Sequence, residues 1–260
     1  MQPSRTVMGY LLALLATVVW SGNFVVARGL ADALSPVEIA FWRWIIAFVA
    51  ILPFSARSLL RSLPLVKGHW GAIILMALFG ISAFNTFIYQ AGHTTDATNM
   101  SLLATTSPLV MAVIARLFLR ERLSRFQLIG LCGAFLGVVV LVSRGSLDVL
   151  LGLRFAEGDL WMMTSVCLFA VYSLMLRYRP KGFPQTAFLT LVIGIGVLGL
   201  FPPMLWQTAV HGPGHMDWGI LSALVYIGVG ASVVSFLSWN LSVERIGMVR
   251  AGIIYNSIPL

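Results

Sequence analysis

The sequence predicts an all-α, polytopic membrane protein of inverted five-plus-five helix repeats, with the tenth helix missing from these 260 residues. Three observations predict it. Apolar residues make up 59% of the chain and charged residues 10%, with mean hydropathy +0.93, whereas soluble domains carry about 25% charged residues. Long apolar runs follow one another with short loops between them. The second half also copies the first at an offset near 150 residues. Phe79-Gly80-Ile81-Ser82-Ala83-Phe84-Asn85 reads like Val229-Gly230-Ala231-Ser232-Val233-Val234-Ser235, and Thr105-Thr106-Ser107-Pro108-Leu109 like Asn256-Ser257-Ile258-Pro259-Leu260. Gly9 to Arg28 aligns with Gly158 to Arg177, and Trp70-Gly71 with Trp218-Gly219. An odd number of crossings per repeat reverses the chain in the bilayer, so the copies are inverted, the arrangement of alternating-access transporters.

The apolar runs fall at 7–28, 36–55, 70–92, 97–117, 126–143, 158–176, 184–208, 218–242 and 247–260, and a helix needs about 20 residues to cross the hydrocarbon. They are numbered spans one to nine. Span one follows Arg5 and is too long for a signal peptide. It carries Trp20-Ser21-Gly22-Asn23-Phe24, with Trp20 and Asn23 as cavity candidates. Span two holds Arg43, the one basic residue well inside a span. Glu38 lies about 140° away on the helix, which makes it an unlikely partner. Arg43 is a candidate charge contact for a substrate carboxylate or a helix C-terminus, or a snorkelling side chain.

Span three places Ser82, Asn85 and Tyr89 on one helical face. Polar side chains are costly in hydrocarbon, so this face is expected to point inward. Span four carries Asn99 and Thr106 as further cavity candidates, and Pro108, which removes a backbone hydrogen bond and frees the carbonyl of Ala104. Span five has Gly130, Gly133 and Gly137 on one face, suited to close helix packing within the chain or to a dimer seam. Span six offers a stripe of Trp161, Ser165, Phe169 and Tyr172. Span seven ends near Trp206, expected with Trp70 and Trp218 to be an interfacial anchor. Span eight repeats the span-three face as Ser232, Ser235 and Trp239. Span nine repeats span four, with Asn256 before Pro259. Paired helix interruptions at membrane depth are read as gating kinks flanking a binding site. The first half continues past its proline through a further helix, so the natural chain is expected to run on for about 35 residues. Residues 1–150 and 151–260 are the two repeats.

The net charge of +8 is topological. Arg5, Arg57, Arg61, Lys67, Arg116, Arg120, Arg122, Arg125, Arg177, Arg179, Lys181, Arg245 and Arg250 fall on one side, against Arg28, Arg144 and Arg154 on the other. The positive-inside rule puts the amino terminus and the basic loops in the cytoplasm. No nucleic-acid partner is implied. Cys132 and Cys167 read as small packing residues. His211-Gly-Pro-Gly-His215 reads as an exposed turn before it reads as a metal site. No metal or other cofactor is expected. There is no His-Glu-x-x-His and no intramembrane aspartate pair, which argues against a membrane-embedded enzyme.

Together these patterns resemble the drug/metabolite transporter superfamily, in its ten-helix branch with EamA-type repeats. Trp20-Ser21-Gly22-Asn23-Phe24 followed by Arg28 resembles the family's first helix. Ser101-Leu102-Leu103 through Ser107-Pro108-Leu109 resembles its fourth. Leu119-Arg120-Glu121-Arg122-Leu123-Ser124, with Gln127, Gly130, Gly133 and Gly137, resembles the entry to its fifth, although the family usually shows glycine where Arg120 stands. The likeness is greatest to the YddG-type aromatic amino-acid exporters. It implies cytoplasmic termini, a bacterial inner-membrane location, a central cavity lined by spans three, four, eight and nine, and export of amino acids and related metabolites. A neutral, aromatic lining suits a small zwitterion; a phosphorylated sugar would need several buried Arg or Lys. The same rings could hold organic cations, which leaves a multidrug or quaternary-cation exporter as the alternative, and a channel behind it. The expected assembly is a monomer or weak homodimer in the lipid bilayer.

Overall fold

The computed structural model describes residues 5–118, 124–143, 148 and 156–258, and every regular element among them is a helix. Seven helical runs are long and apolar enough to cross a membrane: Arg5–Leu30, Pro36–Val66, Trp70–Gly92, Ala97–Phe118, Glu157–Tyr178, Gln185–His211 and Trp218–Ile246. These are spans one to four and six to eight. Span five is the helix Arg125–Ser143, and span nine begins as Met248–Tyr255. The chain is a multi-pass, all-α membrane protein. Large apolar side chains such as Phe54, Val25 and Leu198 stand exposed on its outer surface, where hydrocarbon replaces water as their solvent. Trp70, Trp206 and Trp218 are exposed at span ends, as interfacial anchors should be.

Helix starts are written into the sequence. Ser35 and Glu38 form a reciprocal capping box ahead of span two, with Pro36 in the first turn. Asp96 and Asp217 accept from the Asn99 and Ile220 amides and so cap spans four and eight.

Packing follows the repeat. Span one lies along span eight and span six along span three; span two packs on span seven and span four on span nine. Exchanging the halves maps this set of pairs onto itself. The loops also sort to two ends. Arg28 Nη1 donates to the Gly92 carbonyl, Thr95 Oγ1 to Asp159, and the Gly214 amide to Glu38 Oε1 at 2.7 Å. At the other end Arg179 pairs with Glu244 at 3.0 Å. Among the described residues the clustered basic side chains, such as Arg61, Arg177, Arg179 and Arg245, fall at this second end, and Arg28 at the first. Glu38, engaged with Ser35 and Gly214, is no partner of Arg43.

The helices are interrupted at matching points. In span three, Leu78–Ala83 winds as a π-helix between Trp70–Ala77 and Phe84–Gly92; in span eight, Tyr226–Val234 does the same between Trp218–Val225 and Ser235–Ile246. Span four breaks at Thr105 and Thr106, and Met248–Tyr255 of span nine ends in a turn at Asn256. Two expectations are corrected here. Cys132 and Cys167 are exposed rather than packed. Gly130, Gly133 and Gly137 meet nothing within 4 Å of an added Cβ, so among the described residues no other helix presses on that face. Pro259, Arg120 and Glu121 lie outside the described residues.

Candidate functional site

Aromatic side chains from five spans meet in the middle of the bundle. Trp20 packs edge-on against Phe169 and Phe236, both at 5.4 Å between centroids, and lies 5.6 Å from Trp239 and 5.8 Å from Tyr255. Phe84 stacks on Phe169 at 4.9 Å. The two indole N–H groups are satisfied across helices: Trp20 Nε1 donates to the Ala231 carbonyl at 2.7 Å, and Trp239 Nε1 to Ser173 Oγ at 3.1 Å. Buried tryptophan usually finds such a partner; Trp44, fully buried beside Phe236, has none for its Nε1.

Beside this cluster lies Arg43, which is only 1% exposed. Its Nε donates to Ser232 Oγ at 2.6 Å, its Nη1 to Asn23 Oδ1 at 2.9 Å and Tyr89 Oη at 2.6 Å, and its Nη2 to the Ala231 carbonyl at 3.0 Å. Tyr89 also donates to Asn23 Oδ1 at 3.2 Å. One side chain of span two therefore fastens spans one, three and eight. Arg43 neither snorkels nor reaches a helix C-terminus. It lies about 10 Å along the helix from Pro36, in the half of the bundle away from the basic end. A void of about 10 Å³, room for one water at most, lies against Arg43, Asn23, Asn85, Trp20, Phe84 and Tyr255.

The basic half is open. A cavity of about 580 Å³ lies between spans six, seven, eight and the start of nine, with Ser173, Gln185, Asn240 and Met248 on its walls. Arg177, Arg179, Lys181 and Glu244 stand around it. Asn240 is 3% exposed; its Oδ1 accepts from Tyr172 Oη at 3.0 Å and its Nδ2 has no partner. Neither polar atom of the Gln185 amide has a partner. Buried amides are rarely left unpaired, and these two border a space large enough for a small molecule.

The sequence-predicted residues divide into three groups. Trp20, Asn23, Asn85, Tyr89, Tyr172 and Trp239 are buried in the core just described, with Arg43 among them. Ser82, Ser235, Thr106 and Pro108 serve the helices themselves. Ser82 Oγ donates to the Gly196 carbonyl of span seven at 2.8 Å, away from Asn85. The expected single face of Ser82, Asn85 and Tyr89 fails because Ser82 lies inside the π-helix, whose turn is wider than an α-turn, and so falls out of phase with Asn85 and Tyr89 in the α-helix that follows. Ser235 Oγ bonds the Gly230 carbonyl and Asn85 Nδ2 the Gly80 carbonyl, both five residues back, where the π-helix loosens the ladder. Thr106 Oγ1 donates to the Leu103 carbonyl and lies 3.7 Å from Met163 Sδ, and Ser107 Oγ takes the Ala104 carbonyl that Pro108 frees. The third group lies apart from the core. Asn99 is exposed in the first turn of span four. Trp161 packs on Phe87 and donates to Glu157 Oε1. Asn256 is partly buried in the span-nine turn, its Oδ1 unpartnered.

Sequence reasoning missed Gln185 and Asn240 as cavity residues. The available signal for Asn240 was its place in the repeat, where Tyr89-Gln90 of span three corresponds to Trp239-Asn240 of span eight. Gln185 stands at a span start, where an amide is unremarkable. Among the described residues no group of His, Cys, Asp and Glu could hold a metal ion.

The sequence model of the EamA-like transporter family matches residues 7–143 and 156–260. An uncharacterized transporter of Bacillus subtilis, YyaM, is 24% identical over 252 residues, covering 96% of this chain and 82% of its own. A probable amino-acid metabolite efflux pump of Salmonella typhimurium is 28% identical over 243 residues, covering 90% of this chain and 77% of its own. A riboflavin transporter of Brucella anthropi is 26% identical over 202 residues, covering 74% and 66%. A solved crystal structure shares the fold with a TM-score of 0.70 at 22% identity, over 100% of this chain and 85% of its own.

Proposed function

The chain belongs to the EamA-like transporter family, and from that premise we propose that it is a secondary exporter. Its cargo is amino acids, aromatic and other apolar ones, with related small metabolites. It moves them across the bacterial inner membrane by alternating access between the repeats 1–150 and 151–260. It is a transporter and not an enzyme. One observation carries the reading: a cavity of about 580 Å³ opens at the basic end, while among the described residues the Arg43 network and the aromatic cluster fill the centre of the opposite half. With the positive-inside rule, that open end and the amino terminus face the cytoplasm, which is where an exporter loads.

The aliphatic wall of the cavity, with Leu174, Leu176, Val243 and Met248, fits the apolar part of such a solute, the unpaired amides of Asn240 and Gln185 fit its polar end, and the aromatic cluster lies deeper in the core. The Salmonella relative's name points to the same cargo class. Organic cations would also stack on the rings, but the buried guanidinium of Arg43 stands beside them and repels a cation. Counterflow in proteoliposomes tests the proposal. Aromatic and aliphatic amino acids should exchange saturably and with trans-stimulation, ahead of quaternary amines. Flux linear in concentration would mark a channel, and preference for the amines would mark a multidrug exporter.

A further inference from the structure

We propose that Arg43 is the receptor for a carboxylate on the transported solute, and that the arriving carboxylate unfastens the closed half of the bundle by taking over the guanidinium from Asn23 and Tyr89. The proposal rests on the exporter reading above for its context, and on three observations for its content.

The first is charge. Arg43 is a buried cation whose four acceptors, Ser232, Asn23, Tyr89 and the Ala231 carbonyl, are all neutral. Among the described residues no carboxylate lies within ion-pair distance of it. Neutral oxygens solvate a guanidinium without cancelling its charge, and a buried charge without a counter-ion is costly. Of the five guanidinium N–H groups, one on Nη2 has no acceptor. A carboxylate accepts two parallel hydrogen bonds from a guanidinium and brings the missing charge.

The second is a neighbouring acceptor. Asn85 is 1% exposed and lies against the same void as Arg43. Its amide orientation is fixed chemically: the Gly80 and Ile81 carbonyls can only accept, so the atom facing them is Nδ2. Oδ1 is then left without a donor. A cation and an orphan acceptor on one aromatic-walled void match the carboxylate and ammonium of a zwitterion.

The third is connectivity. The void of about 10 Å³ is too small for any solute, so the site is collapsed and admits a ligand only as the spans part. Arg43's partners stand on spans one, three and eight. A ligand that replaces them on the guanidinium binds the parted state and not the closed one. That differential affinity is the only way a ligand can shift a conformational equilibrium.

The test uses the whole chain, purified and reconstituted, with four probes: L-phenylalanine, 3-phenylpropanoate, L-phenylalaninamide and phenethylamine. Ligand-induced thermal shifts report binding, and counterflow reports transport. The two carboxylates should bind about tenfold or more tighter than the amide and the amine. Arg43→Gln should erase that preference. Arg43→Lys, which keeps a charge but not the fork, should weaken carboxylate binding while keeping its rank; it decides the matter if Arg43→Gln does not fold. An acid preference that survives in Arg43→Gln overturns the assignment, as does wild-type protein that binds the amide or amine as well as the acids, or binds neither acid. If 3-phenylpropanoate binds through Arg43 while no amino acid is carried, Arg43 keeps its role and the amino-acid reading falls. If amino acids are carried with unaltered acid preference in Arg43→Gln, the reverse holds.

Discussion

Tyr172 donates its hydroxyl proton to Asn240 Oδ1 at 3.0 Å, joining span six to span eight on the wall of the open cavity. The bond fixes the Asn240 amide and leaves its buried Nδ2 without a partner in the protein, and under the exporter proposal that donor serves the solute. Asn240→Ala removes both the anchor and the donor. Stability should fall by about 1–3 kcal/mol because the Tyr172 hydroxyl is left buried and unpaired. Tyr172→Phe takes away only the anchor. Counterflow should show a raised KM in both variants, with the larger rise in Asn240→Ala; an unchanged KM in Asn240→Ala would remove this wall from the substrate path.

Tyr172 also lies against Gly80, so closely that a β-carbon on that residue would fall within contact of the ring atoms. Gly80 is the third residue of the π-helix Leu78–Ala83, and the ring fills the space a side chain would take. Gly80→Ala should therefore destabilise the folded protein by about 1–3 kcal/mol, the usual effect of overpacking. Gly130→Ala, in open space, should cost nothing and supplies the control. Melting of the purified variants by tryptophan fluorescence compares them directly.

Gly80 illustrates what could be read in advance. The repeat Phe79–Asn85 against Val229–Ser235 was visible, and so were the spans, their order and the division of charge, because each depends on composition or spacing. The π-helices were not visible. Nothing in Phe79-Gly80-Ile81-Ser82 distinguishes a widened turn from an ordinary one, and the choice is made by tertiary partners such as Tyr172 and the Gly196 carbonyl. Once the turn widens, residues on either side lose phase, which is why Ser82 and Asn85 part company. The role of Arg43 was half legible. Its isolation in an apolar span marked it, but its four acceptors come from positions 20 to 189 residues distant, beyond any local pattern. The cavity at Asn240 and Gln185 depends on the angle between spans, which side-chain periodicity does not encode.

His93 follows span three at the end away from the basic loops. Partial burial holds its imidazole below the ordinary value of 6.5; the Asp32 carboxylate opposes that shift and the Arg28 guanidinium adds to it. The folded form therefore binds a proton less readily than the unfolded form. As pH falls below 6.5 the unfolded chain is protonated first, and stability declines until the lower folded value is passed. His93→Gln should flatten the dependence of melting temperature on pH over this window. A variant with the wild-type slope would assign the acid sensitivity to another group.

Pro108 supplies the last prediction. It has no amide hydrogen, so the Ala104 carbonyl is left for Ser107 Oγ, which takes it. The break is thus satisfied locally by a hydroxyl and needs no neighbouring helix, which leaves the two halves of span four free to change angle. Pro108→Ala restores the amide and with it the regular bond to Ala104, joining Ala97–Ala104 to Ser107–Phe118. A continuous helix should bend less readily. Turnover in counterflow should fall several-fold while KM changes little, since no atom of Pro108 is needed to hold the solute. Ser107→Ala should act in the other direction on structure: it leaves the Ala104 carbonyl unpaired and lowers stability by about 1–3 kcal/mol. A Pro108→Ala variant with normal turnover and weakened binding would show that the break shapes the cavity rather than the motion.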